Sequence, residues 1–168
     1  MAITRADFPL PDVDDSLTAG FFAAPARGEL CIPRCEECGR WCWYPPETQP
    51  PHEARGPAGG RRSRPEEQQV CPACEGPLVW TRTAGRARLF SWAVVQRAFL
   101  PAFADMVPFV TALVALEEDP AVRIVTYVVD AVPGSLHGGM PLEVVFRPLR
   151  FPTVPDRQVV VPMFRPVA

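Results

Sequence analysis

The sequence predicts a mainly β protein: a short N-terminal helix, a small cysteine-based metal ribbon, and then a five- or six-stranded barrel. Three observations predict it. Two Cys-x2-Cys pairs stand at Cys35/Cys38 and Cys71/Cys74. Runs rich in Val, Ile, Phe, Trp and Tyr recur from residue 78 onward, separated by Gly, Pro or acidic turns. No long helical pattern follows residue 80. The division read from these features is a helical leader over 1–30, a ribbon over 31–77 and a barrel over 78–168.

In the leader, Asp14, Asp15 and Ser16 offer an N-cap and first-turn acids, and Leu17, Phe21 and Phe22 then share one helical face. Pro25 and Gly28 end the run. An apolar stripe on so short a helix reads as a lid docked over a core.

Each Cys-x2-Cys pair is a knuckle, a tight turn that aims two thiolates at one ion. Gly39 after the first pair, and Glu75-Gly76 after the second, let backbone amides approach the sulfurs. Cys35, Cys38, Cys71 and Cys74 together complete a tetrahedral four-thiolate site for a structural Zn2+. The pattern also resembles the iron site of rubredoxins, and zinc is preferred because the ribbon here adjoins a larger β domain. A closed four-cysteine site has no open coordination position, so its expected role is to hold the fold. Cys31 and Cys42 flank the first knuckle as alternative ligands, a disulfide, reactive thiols or ordinary semi-buried side chains. The 32 residues between Cys38 and Cys71 include a stretch rich in Pro, Gly, Arg and Glu with no apolar periodicity, which reads as a long surface loop. Its Arg61-Arg62-Ser63-Arg64 cluster is offset by Glu53, Glu66 and Glu67, which favours a solvated loop over a phosphate site.

Strands are expected at 78–82, 89–95, 109–116, 122–129, 142–146 and 159–161. Five or six strands in so short a stretch suggest a small antiparallel barrel, most commonly an OB-fold. A half-buried strand alternates apolar and polar residues. Here Val122, Ile124 and Val128 take one face while Val125, Tyr127 and Val129 take the other. Leu89, Ala93 and Val95 similarly stand opposite Phe90, Trp92 and Val94. A small barrel has one interior, so the second apolar face points to a protein partner or an apolar ligand.

Composition excludes several chemistries. All 17 basic residues are arginine, and the histidines are His52 and His137. Without lysine the chain forms no Schiff base and carries no P-loop. A net charge of −2 opposes nucleic-acid binding, although a nucleic-acid-binding ribbon/OB module remains an alternative. No apolar run approaches a membrane span, and the first residues lack an apolar secretion core, so a cytoplasmic protein is expected. His52 falls in the long loop and His137 in a Gly-rich turn, neither with a companion motif. Asp105, Glu117, Glu118 and Asp119 lie near strand ends, where carboxylates are usually solvated. No catalytic residue is assigned.

The order of features resembles the zinc-ribbon/OB-fold proteins first described as a domain of unknown function and later linked to acyl-CoA metabolism. The matching segments are LTAGFFAAPARGEL, CEECGRWCWYPP with the later CPAC, LVWTRTAGRARLFSWAVVQRAF, VPFVTALVALEEDPAVRIVTYVV, GGMPLEVVFRPL and PMFRP. The resemblance implies a partner: such proteins assemble with thiolase-superfamily enzymes, including lipid-transfer-protein-like aldolases of steroid side-chain breakdown, or with acyl-CoA hydratase subunits. It implies an accessory subunit that helps form an acyl-CoA site while the partner carries the reactive groups, most specifically in retro-aldol cleavage of a steroid side-chain thioester. Arg97, and less directly Arg86 or Arg88, are candidates to meet CoA phosphates. Trp92, Phe99, Phe103 and Phe109 are candidates to line an acyl path or the partner interface.

Overall fold

The computed structural model describes residues 17–44, 69–150 and 158–167. The proposed caps Asp14–Ser16, the Arg61–Arg64 cluster, His52, Glu53, Glu66 and Glu67 lie outside the described residues. The chain opens with α1 (Ala19–Ala23), which runs into a 3-10 turn (Ala24–Arg27). Thr18 takes the N-cap position, and its carbonyl accepts from the backbone N–H groups of Phe21 and Phe22 without help from its side chain. So short a helix has little stability of its own and persists by packing. Phe21 is buried, and Gly20 lies so close beneath Trp80 that a Cβ would overlap the indole ring. Gly28 ends the turn with φ 72°, and its N–H reaches back to the carbonyls of Ala24 and Pro25.

Strands β1 (Cys31–Cys35) and β2 (Leu78–Arg82) pair antiparallel, from Cys31 opposite Arg82 to Cys35 opposite Leu78. The 78–82 run, which the sequence groups with the barrel, therefore lies in a separate two-stranded sheet. Its sequence carries ordinary β propensity; the partner strand that claims it lies across the long insertion, beyond the reach of local pattern. Thr83 ties this ribbon to the barrel strands. It is buried, its N–H and hydroxyl both donate to the Leu30 carbonyl at 2.9 and 3.1 Å, and its oxygen accepts from the Gly85 N–H.

The remaining strands are β3 (Arg86–Val95), β4 (Phe109–Leu116), β5 (Arg123–Val128), β6 (Pro141–Arg150) and β7 (Gln158–Pro166). They close into a five-stranded barrel in the order β3-β4-β5-β7-β6. All neighbours are antiparallel except β5 and β7, which meet in parallel at Val128 and Phe164. That thin seam is reinforced by Val129 N–H to the Phe164 carbonyl at 2.8 Å and by the buried Thr126 hydroxyl to the Pro162 carbonyl at 3.1 Å. Cross-strand rows such as Leu89–Val114–Ile124 and Val94–Val110–Val128 fill the interior with Leu142 and Phe164. Phe21, Leu30 and Ile32 join the same cluster, so the leader helix and β1 pack onto the barrel as the lid the sequence suggests.

One face assignment is corrected. A bulge between Leu89 and Ser91 inserts Phe90 as an extra residue and reverses the parity of the strand. Leu89 therefore shares the inward rows with Trp92 and Val94, while Phe90 and Ala93 stand on the outside. Val125 faces out and Ile124 and Val128 face in, as the alternation in β5 predicts.

Candidate functional site: a four-cysteine centre and an apolar barrel face

The two knuckles sit at the end of the ribbon that β1 and β2 hold together. In the first, Cys35 N–H donates to the Arg40 carbonyl at 2.8 Å and Gly39 N–H to the Cys35 carbonyl at 3.1 Å. In the second, Cys71 N–H donates to Gly76 at 2.8 Å and Glu75 N–H to Cys71 at 2.9 Å. Glu75 takes the left-handed conformation at φ 63°, the position at which such a turn reverses. The Glu36 N–H bond to the Pro77 carbonyl, 3.1 Å, stitches one knuckle to the other.

The outcome is a cluster of Cys35, Cys38, Cys71 and Cys74 sulfurs, all within 4.8 Å of one another. The closest approaches join one sulfur from each knuckle, Cys35 to Cys74 at 3.5 Å and Cys38 to Cys71 at 3.6 Å. Four thiolates around zinc, with Zn–S near ~2.3 Å in a tetrahedron, stand ~3.8 Å apart, so the donor set and its spacing fit such an ion. Backbone N–H groups favour the thiolate form at two of the sulfurs: the amide of Cys38 lowers the Cys35 thiol, and the amide of Ala73 leads those that bring Cys71 down to about 6. At Cys74 the Gly76 amide is outweighed by the Cys35 and Cys38 sulfurs, which push it up to about 12. Cys35 and Cys71 are buried while Cys38 and Cys74 are exposed, so the site lies at the rim of the ribbon.

Cys31 and Cys42 stand outside this four-sulfur cluster. Cys31 begins β1 opposite Arg82, and burial pushes its thiol up. Cys42 packs beside Cys35, Cys71 and Leu78, and burial and the neighbouring Cys71 push its thiol up to about 11. Both thiols are free and buried.

The candidate contact residues fall in and beside the 96–108 segment that joins β3 to β4. Phe99 is 95% exposed, and Arg97 is exposed without an ion pair among the described residues. Phe103 and Phe109 are brought together, ring centroids 6.2 Å apart, and Phe109 meets Tyr127 edge-on at 5.5 Å. Trp92 lies on an inward row yet is 37% exposed, because β3 pairs with β6 only over residues 86–88. Arg88 is engaged elsewhere, with Glu117 at 3.5 Å and the Gly139 carbonyl at 3.3 Å. Arg86 is exposed on the outer side of β3, away from that segment. Sequence reasoning placed Val125 and Tyr127 on a second apolar face of β5 but did not join Phe90 to it; the Phe90 ring lies under the Arg123 guanidinium at 3.8 Å. The two-sided apolar character of β3 and β5 was the available signal.

Asp105 is exposed in the 96–108 segment, and the other acidic candidates have structural employment. Glu118 accepts from the Ala84 N–H, Asp119 accepts from Ala121 N–H at 2.9 Å, and Glu117 holds Arg88. His137 is exposed, its Nδ1 3.2 Å from the Gly138 carbonyl. Among the described residues no helix is long and apolar enough to cross a membrane.

Known proteins resemble this chain in both barrel and sequence. Residues 80–147 match the family described as ChsH2, C-terminal OB-fold domain. Over those residues the barrel is similar to that OB-fold family. The match begins inside β2 and takes in the barrel through most of β6. A solved structure described as the Ltp2-ChsH2(DUF35) aldolase aligns with TM-score 0.64 and 28% identity, covering 95% of this chain and all of that one. A DUF35 domain-containing scaffold protein of Methanothermobacter thermautotrophicus is 35% identical over 83 residues, covering 48% of this chain and 60% of that protein. One of the same description from Methanocaldococcus jannaschii is 29% identical over 85 residues, 49% of this chain and 58% of that protein. The chain thus spans less than two thirds of the length of these curated relatives.

Proposed function

We propose that this ChsH2-like chain is an accessory subunit of a thiolase-like acyl-CoA enzyme complex, and that the complex cleaves a steroid side-chain thioester by a retro-aldol reaction. The observation that carries the reading is the end-to-end likeness to a chain of an aldolase whose description couples two proteins, Ltp2 and ChsH2. The scaffold description of both methanogen relatives favours assembly as the role of the shared portion.

Chemistry supports the same division of labour. Retro-aldol cleavage removes a proton from a β-hydroxyl and breaks the Cα–Cβ bond. The electron pair moves onto the thioester enolate, which then takes a proton. Lacking lysine, this chain supplies no Schiff base, so the reaction relies on an acid–base group of the partner. Zinc held by Cys35, Cys38, Cys71 and Cys74 would act structurally, closing the ribbon that packs on the barrel.

Co-expression with a thiolase-superfamily enzyme captured by this chain from its native host is the test. A partner that is insoluble or inactive alone and gains acyl-CoA cleavage with this chain supports the reading; one that is soluble and fully active alone overturns it. Metal analysis of the purified chain checks the ribbon. One zinc per chain in a colourless sample is expected, and a red, redox-active sample would assign the site to iron.

A further inference from the structure

We propose that the enzyme subunit seats on the outer face of β3, β4 and β5 together with the 96–108 segment, and that Phe99 is the anchor it receives. This rests on the accessory-subunit reading and adds to it the docking surface and the character of the receiving pocket.

Exposed large apolar side chains concentrate here. Phe99 is 95% exposed, Val125 63%, Phe90 49% and Leu100 42%. The Phe103–Phe109–Tyr127 ring contacts run from the base of the segment across β4 to β5, so segment and sheet face form one continuous surface. A solvent-facing antiparallel sheet normally turns polar side chains outward. The outward rows here read Ser91–Leu113–Val125 and Ala93–Thr111–Tyr127, with no charge in either. The cation beside them, Arg123, stacks on Phe90. Beyond Arg88, β3 has left β6, so its second half is an edge strand paired with β4 alone, and the 96–108 segment that carries Phe99 continues from the end of that edge.

The occupant follows from shape and charge. A second copy set face to face would bring the same projecting segment against itself. The recess beside the first knuckle is lined by Arg34, Glu36 and Glu37, charged groups that do not receive a phenyl ring. A lipid surface would call for a cluster of cations around the apolar residues, whereas this chain has net charge −2 and the segment carries one cation, Arg97, and one acid, Asp105. A protein of different sequence with an apolar pocket fits the projection. Arg97, unpaired among the described residues two positions before Phe99, calls for a carboxylate at the rim of that pocket.

The experiment measures binding of the full chain to the purified thiolase-like enzyme. The variants are Phe99→Ala, Val125→Glu and, as a control on the β7 side, Val167→Glu. Metal content and thermal melting of each variant establish that it is folded. Losses of ~30-fold or more for Phe99→Ala and Val125→Glu, with Val167→Glu unchanged, are expected for an anchor and its surround. Equal binding by all variants overturns the docking surface and leaves the accessory role standing. Failure of the unaltered chain to bind the enzyme overturns both. A chain that self-associates alone, and becomes monomeric as Phe99→Ala, assigns the face to a second copy and overturns the proposal.

Discussion

Thr126 illustrates how much one hydroxyl does in a barrel with a thin seam. β5 and β7 share a single ladder pair, and the Thr126 hydroxyl supplies a further bond at 3.1 Å, to the Pro162 carbonyl. Thr126→Val keeps the shape, removes the donor and leaves a buried carbonyl short of a partner, so a loss of about 1–2 kcal/mol is expected. Denaturant unfolding should show a lower midpoint with an unchanged slope. An unchanged midpoint would mean that solvent already reaches the seam. Gly85 is demanding for another reason: at φ 71° its missing Cβ makes room for Val144, whose N–H donates to the Gly85 carbonyl at 2.8 Å. Among the cysteines, geometry separates ligands from neighbours. Cys71→Ser should abolish stoichiometric zinc, whereas Cys42→Ser, outside the four-sulfur cluster, should retain one zinc per chain by metal analysis. Loss of zinc from Cys42→Ser alone would place Cys42 in the ligand set.

At the scale of elements, the strands from 109 to 128 were legible by their runs of β-branched, aliphatic and aromatic residues between turn residues; in the structure Val110, Ala112 and Val114 are buried and Phe109, Thr111 and Leu113 less so. β3 was legible as a strand but not in its facing. A parity count assumes one residue per step, and Phe90 breaks that count where both faces are apolar and hydropathy gives no warning. β2 was legible as a strand but not in its partner, since its pairing with β1 spans the insertion. The two knuckle turns were legible because Cys-x2-Cys spacing is a local property, and the structure gathers their four sulfurs as that spacing predicts. Around the sulfurs, Cys35, Cys42, Cys71 and Leu78 form a small cluster of their own, while Ile32 of the same ribbon belongs to the barrel core. Removing zinc with a chelator should therefore loosen the ribbon first, because metal-binding energy is spent on local folding. Amide hydrogen exchange should rise in residues 31–42 and 70–82 while β4 and β5 stay protected. Equal loss of protection in β4 and β5 would show the metal to be a keystone of the whole chain.

The whole molecule places its chemistry-bearing groups where they serve structure. Carboxylates that sequence alone leaves open, Glu117, Glu118 and Asp119, cap turns or hold arginines, and Asp130, just after β5, pairs with Arg147 of β6 at 2.9 Å. His137 is the described imidazole, and its ring contact is a neighbouring carbonyl. A general acid or base contributes ~10²–10⁴-fold to rate. If His137 served the reaction from this chain, its removal would cost at least the lower figure. If the partner carries the acid–base groups, His137→Ala in the assembled complex should leave kcat within about 2-fold and its pH profile unmoved, while the isolated chain should not cleave an acyl-CoA thioester at all. A hundredfold fall in kcat at unchanged KM, with complex formation intact, would move a catalytic role onto this chain. An unmoved profile would instead match the proposed division of labour, in which the partner carries the acid–base groups.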